Sequence, residues 1–121
     1  MSEKLKFAFY WAASCGGCDV VVLDIDDKIL DVVEIADIVF WPCAMDFKYD
    51  VVEDMTDGEI DVCFFNGAIR DSENKKIAKL LRKKSKIMIA LGSCSALGGI
   101  PGLGNDANKQ QILDKSYVPS F

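Results

Sequence analysis

Four short apolar runs, each closed by a chain-breaking residue and separated by helix-patterned stretches, limit this chain to one kind of fold. Lys4–Tyr10 alternates with period two and then becomes solidly apolar, as a strand at the centre of a sheet does. Ala36–Trp41 is stopped by Pro42, and Ile60–Ile69 contains Val62–Phe65 before the turn at Asn66–Gly67. Ile87–Leu91 ends at Gly92. Between the first two runs Val22, Ile25, Ile29, Val32 and Val33 recur at three- and four-residue spacing, predicting one helix or two short ones broken near Asp26. Phe47–Met55 predicts a brief helix. Asp71–Asn74 predicts a helix start, with Ile77, Leu80 and Leu81 as the apolar stripe to about Lys84. Strands alternating with helices predict an α/β domain: a flavodoxin-like parallel sheet of about four strands with helices on both faces.

In such sheets ligands lie beyond the carboxyl ends of the strands. There this sequence places its sulfur. Cys15 and Cys18 follow the first strand as Cys-Gly-Gly-Cys, Cys94 follows the fourth, and Asn66–Gly67 follows the third. Cys63 sits inside a strand and reads as a small buried hydrophobe, while Cys43, on the loop after Pro42, is a weaker ligand candidate.

Composition narrows the chemistry. The 121 residues contain no histidine, which removes imidazole bases, Cys/His nucleophile pairs and mixed Cys/His zinc sites. A net charge of −5 and a pI near 4.6 argue against a nucleic-acid partner. The run Arg82–Lys86 complements the end of a helix. No apolar run is long enough to cross a bilayer and the N-terminus lacks a signal-peptide core, so the expected location is cytoplasmic, away from membranes. Five cysteines in a reducing compartment read as ligands or core thiols before disulfides.

Three uses of the thiol pair stand beside one another. A thiol-disulfide oxidoreductase would need only Cys15 and Cys18, so Cys94 would be superfluous. All-sulfur zinc would want a second Cys-x-x-Cys, which is missing. An iron-sulfur cluster suits soft thiolates, a glycine pair that lets backbone N–H groups approach, and a helix start nearby, yet it wants four thiolates where three are well placed. No phosphate-binding loop supports a nucleotide site. Ser95–Asn105, with four glycines, a proline and Leu97, Ile100 and Leu103, reads as an apolar loop that tucks under the domain or meets a partner or the site.

Four stretches in order, Trp11–Asp19, Ala36–Pro42, Asn66–Arg70 and Gly92–Asn105, resemble the small (gamma) subunit of nickel-iron hydrogenases. The similarity is greatest to the cytoplasmic group of methanogens that does not reduce deazaflavin and is associated with heterodisulfide reductase. The resemblance implies an electron-transfer subunit of an oxidoreductase, with a proximal [4Fe-4S] cluster facing a nickel-iron centre in the hydrogenase large subunit. It further implies Cys15, Cys18 and Cys94 as three cluster ligands, and a further iron-sulfur subunit and heterodisulfide reductase as partners. The family's fourth ligand lies in a later Gly-Cys-Pro-Pro motif that this sequence does not contain, and Lys115–Phe121 carries no terminating motif, so residues 1–121 read as one proximal-cluster domain cut from a longer chain. Asp19 and Asn66 stand where many relatives carry glutamate. The alternatives that remain are a cluster-free flavodoxin-like interaction module and a thiol-disulfide oxidoreductase using Cys15 and Cys18.

Overall fold

A computed structural model describes residues 4–45 and 48–117. Four parallel strands form one sheet: β1 (Leu5–Trp11), β2 (Ala36–Phe40), β3 (Ile60–Asn66) and β4 (Ser85–Leu91), in the spatial order β2-β1-β3-β4. The four-stranded parallel α/β sheet is the one the alternating pattern predicts. β3 stops at Asn66 rather than Ile69, because Gly67, at φ 100, turns the chain away.

Period-two alternation gives the sheet two different faces. Ala8, Tyr10, Cys63 and Phe65 point to one side, where Val52 of α3 (Tyr49–Glu53) and Ile77 and Leu81 of α4 (Ser72–Lys84) close the main core. Phe7, Phe9 and Phe64 point to the other, where Phe9 stacks on Trp41 at 4.3 Å between ring centroids and on Phe64 at 4.9 Å. Helix α1 (Gly17–Leu23) lies on this second side, since its Asp19 is bonded to the Trp41 indole. Helices thus cover both faces. On the second face the cover is incomplete at the edge strand: Ile87 and Ile89 of β4 are exposed, although their run from Ile87 to Leu91 is apolar throughout.

Local sequence explains the interruptions. Val20–Val22 are β-branched and weak helix formers, so α1 is short, and Asp26 at φ 53 separates it from α2 (Ile29–Ile35) through a 3-10 turn at Asp26–Lys28. The break falls where the sequence suggests. It also rotates the stripe: Val22, Ile29 and Val32 face inward, whereas Ile25 and Val33 are exposed. Helix α4 starts as expected, with Asp71 accepting from Asn74 N at 2.9 Å. Phe47, the expected start of α3, lies outside the described residues, as do 118–121 at the end expected to be cut.

Beyond β4 the structure departs from a simple loop. Single turns α5 (Ser93–Ala96) and α6 (Gly99–Gly102), a 3-10 turn at Leu103–Asp106 and a helix α7 (Lys109–Tyr117) follow one another. A reciprocal cap starts α7: Asn108 Oδ1 accepts from Gln111 N and Gln111 Oε1 accepts from Asn108 N, both at 2.9 Å. No helix among the described residues is long and apolar enough to cross a membrane.

At the opposite end of the sheet from the cysteine loops, Asp61 accepts from Lys6 N at 2.8 Å and Lys86 Nζ at 2.7 Å, which hold its carboxyl below the usual carboxylate range. A depressed folded-state pKa adds stability above the unfolded value and loses it as pH falls through the folded one. Asp61→Asn is therefore expected to cost roughly 0.5–1 kcal/mol in urea titrations at pH 7, a difference that closes as pH falls through the lowered folded value.

Candidate iron-sulfur site

Parallel register sets the site. Trp11 pairs with Asn66, and Asn66 with Leu91, so β1, β3 and β4 end side by side and their loops leave from one edge. The first and third loops are also zipped together: Ala12 N donates to Asn66 O at 2.7 Å, and Ala13 and Ala68 exchange backbone bonds of 3.0 and 2.9 Å. The residues that the sequence assigns to this edge, Cys15, Cys18, Asn66 and Cys94, all lie there.

The Cys-Gly-Gly-Cys turn is held by its surroundings as much as by its own backbone. Gly16 adopts φ 82, and a Cβ there would stand 2.4 Å from the Trp11 ring, whose indole N–H donates to Ser14 O at 3.1 Å. Gly17 N donates to Cys15 Sγ at 3.4 Å, an amide-to-sulfur bond of the kind that stabilises thiolate. Gly92 adopts φ 83, and a Cβ on it would fall 2.4 Å from Cys18 Sγ. The first cysteine turn therefore rests directly on the turn that leads to Cys94.

Cys15 is exposed, and Cys18 and Cys94 are partly buried. Among the described residues no three His, Cys, Asp or Glu side chains lie close enough to hold one metal ion. The donor set fits an iron-sulfur cluster in kind, with soft thiolates, an amide N–H already on sulfur and side-chain-free backbone beside both turns. In number it is one thiolate short of four, and the three thiols do not yet surround a common point.

The other two cysteines are in different positions. Cys43 is exposed on the loop after β2. Cys63 is wholly buried in the core, and burial pushes its thiol up to about 12. Iodoacetamide at pH 8 is accordingly expected to label Cys15 and Cys43 in cluster-free folded protein and to spare Cys63 until urea unfolds the chain, as peptide mass mapping would show.

Beneath the cysteine turn lies a polar group whose function sequence reasoning did not identify. Asp19 has no solvent exposure; its Oδ2 accepts from Trp41 Nε1 at 3.3 Å. Burial raises its pKa, while the Trp41 indole and the Asn66 amide oppose that rise. Asp19 Oδ1 and Asn66 Nδ2 are both buried without a hydrogen bond within 3.5 Å. Asn66 Oδ1 accepts from Ser14 Oγ at 3.4 Å, and Ser14 Oγ accepts from Gly16 N at 3.2 Å. The signal available in the sequence was a polar residue closing an apolar strand and a carboxylate entering a β-branched helix.

Around the edge Trp11, Ile69, Leu97, Ile100 and Leu103 are exposed, Leu97 and Ile100 by 85% and 78%. A cleft of about 1050 Å³ opens between α4, the ends of β3 and β4, and the segment from Gly98 to Ile112, and Cys94 lines it.

Known proteins resemble this chain. The family model described as NADH ubiquinone oxidoreductase, 20 Kd subunit, matches residues 15–119. The iron-sulfur subunit of the F420-non-reducing hydrogenase of Archaeoglobus profundus is 41% identical over 117 residues, 96% of this chain and 36% of that protein. Its counterpart in the F420-non-reducing hydrogenase of Methanothermobacter thermautotrophicus is 40% identical over 121 residues, all of this chain and 38% of that protein. The chain thus spans a little over a third of the length of these relatives. In fold it matches a chain of an NAD+-reducing [NiFe]-hydrogenase with a TM-score of 0.80 at 24% identity, covering 98% of this chain and 65% of that one. These matches and the shared edge place the chain in the NADH ubiquinone oxidoreductase 20 kDa subunit family, on the side of the hydrogenase small subunits.

Proposed function

We propose that this chain is the proximal-cluster module of a nickel-iron hydrogenase small subunit, relaying electrons from hydrogen oxidation in a large subunit toward heterodisulfide reductase or a related acceptor. Cys15, Cys18 and Cys94 would hold a [4Fe-4S] cluster, with the fourth ligand supplied from outside the described residues. The observation that carries the reading is the shared edge: register aligns the ends of β1, β3 and β4, and Cys18 Sγ rests against Gly92. Such a cluster supplies one-electron storage at a potential set by hydrogen bonds to sulfur and by burial.

The chain's own residues do the remaining work. Gly17 N–H stabilises negative charge on Cys15, and Gly16 and Gly92 leave room for backbone and thiol to approach. Leu97, Ile100 and Leu103 offer apolar surface to the large subunit and keep water from the edge once covered. A further iron-sulfur subunit would receive the electrons, in a reducing cytoplasm where the thiols stay free.

Anaerobic purification of the native complex tests the reading. Stoichiometric iron and sulfide with broad visible absorption that disappears in Cys94→Ala supports it; a colourless, iron-free subunit in an intact complex overturns it. Disulfide reduction that requires Cys15 and Cys18 but ignores Cys94 would replace it with thiol exchange.

A further inference from the structure

Asn66 is bonded to the first cysteine loop and lies beside the turn that leads to Cys94. Its carbonyl accepts from Ala12 N in the first loop, its Oδ1 accepts from Ser14 Oγ one residue before Cys15, and Oδ1 lies 3.9 Å from the place a Cβ on Gly92 would occupy. On its other side the amide acts on the carboxylate of Asp19, the residue after Cys18. Asn66 is 1% exposed and Asp19 not at all.

Buried polar atoms are almost always paired, and here a donor and an acceptor remain over: Asn66 Nδ2 and Asp19 Oδ1. They are chemically complementary, a leftover donor and a leftover acceptor buried together beneath the cysteine turn. The amide orientation is fixed by the same count, since only Oδ1 on Ser14 and Nδ2 on Asp19 serve both neighbours. Asp19 is in turn tied to Trp41 at the end of β2.

We propose that Asn66 is the positioning residue of the thiolate site: bonded to Ala12 and Ser14 ahead of Cys15 and presenting its unpaired amide to the unpaired Asp19 carboxylate oxygen behind Cys18, it sets the first cysteine turn against the Gly92–Cys94 turn. The proposal rests on the cluster reading for its purpose and on the buried pair for its geometry. Neither Asn66 nor Asp19 is a ligand in it.

The pair can be exchanged with a donor still facing an acceptor. In the double variant Asp19→Asn/Asn66→Asp, Trp41 Nε1 donates to the new amide oxygen, the new amide donates to the new carboxylate, and Ser14 Oγ donates to that carboxylate's other oxygen. In Asn66→Asp alone two carboxylates face each other, and in Asn66→Leu both the amide beside Asp19 and the acceptor for Ser14 Oγ are lost.

The experiment uses the full-length subunit in its complex, purified anaerobically, with three readouts: the EPR spectrum and midpoint potential of the reduced cluster, the rate at which a ferrous chelator bleaches it, and, after anaerobic cluster removal, the rate of Cys18 alkylation. Both single variants are expected to alter the spectrum and to speed bleaching and Cys18 alkylation by roughly ten-fold, the scale of losses for groups that orient metal ligands. The exchanged pair is expected to return all three toward the parent. Single variants that match the parent in spectrum, bleaching and alkylation overturn the proposal while leaving the cluster reading intact. A parent complex without a cluster overturns that reading, and Cys18 alkylation unchanged between parent and Asn66→Leu then overturns this one too. If Asn66→Asp does not fold, recovery of folding in the exchanged pair supports the pairing; an exchanged pair that stays unfolded beside a folded, parent-like Asn66→Leu overturns it.

Discussion

If Cys15, Cys18 and Cys94 hold the proposed cluster, Gly92→Ala is expected to strip the subunit of most of its iron while leaving the sheet assembled. Two effects combine at this position. At φ 83 and ψ 168 the backbone occupies a region open essentially to glycine alone, so any side chain costs roughly 1–3 kcal/mol. The new methyl would also stand 2.4 Å from Cys18 Sγ and 3.2 Å from its Cβ, well inside van der Waals contact. The thiol is the movable partner, so the strain is relieved by turning Cys18 away from the loop of Cys94. Iron and sulfide per chain should fall about ten-fold or more in the anaerobically purified complex. Urea unfolding of the cluster-free form should show only the modest backbone cost. Gly102→Ala is the matching control: its φ of −62 is helical, nothing lies within 4 Å of an added Cβ, and iron should stay at the parent level. Full iron retention in Gly92→Ala would mean that Cys18 does not bind where it now lies.

That prediction depends on a feature the sequence shows only in part. The alternation of strand and helix, together with the rule that ligands gather beyond strand ends, was enough to bring Cys15, Cys18 and Cys94 to one edge, because parallel register follows from topology. Cys63 was legible for the same reason: a thiol in the middle of an apolar run has only the core to enter. Local contacts were harder. That Cys18 would rest on Gly92, seventy-four residues later, follows from loop conformations that no spacing rule encodes. Asp19 and Asn66 looked like two of many polar residues, since nothing in a single sequence distinguishes a solvated carboxylate from one sealed beneath an indole. Ser95–Asn105 was read as loop because its glycines dominate the composition, and α7 beyond it went unread although Asn108 and Gln111 spell its capping pair. Exposure of Ile87 and Ile89 was equally hidden: a continuous apolar strand suggests burial on both faces, but which strand becomes the edge depends on the order of pairing.

Trp41 should have the largest effect on stability, and two substitutions separate its two roles. Its ring is 2% exposed and stacks on Phe9 at 4.3 Å with an interplanar angle of 24°. Its Nε1 is the one hydrogen-bond donor within 3.5 Å of the buried Asp19 carboxylate among the described residues. Trp41→Ala removes the ring from the second face of the sheet and leaves a cavity beside Phe9, a change that costs roughly 3–5 kcal/mol for a large buried aromatic. Trp41→Phe keeps most of the packing and deletes the donor, exposing Asp19 to the full penalty of a desolvated carboxylate, roughly 1–3 kcal/mol. The two can be told apart by pH. Burial already raises the Asp19 pKa, so its neutral form is favoured in the folded state, and the penalty is absent below the unfolded carboxylate pKa and develops as pH rises through the raised folded value. Without the indole donor that folded value rises further. Trp41→Phe should therefore approach parent stability in acid and fall away from it toward neutrality, whereas Trp41→Ala, which also lacks the donor, adds to that fall a cavity cost that persists even in acid. Urea midpoints of cluster-free protein measured from pH 3 to pH 7 would show the two profiles, and a Trp41→Phe deficit independent of pH would assign the indole a packing role alone.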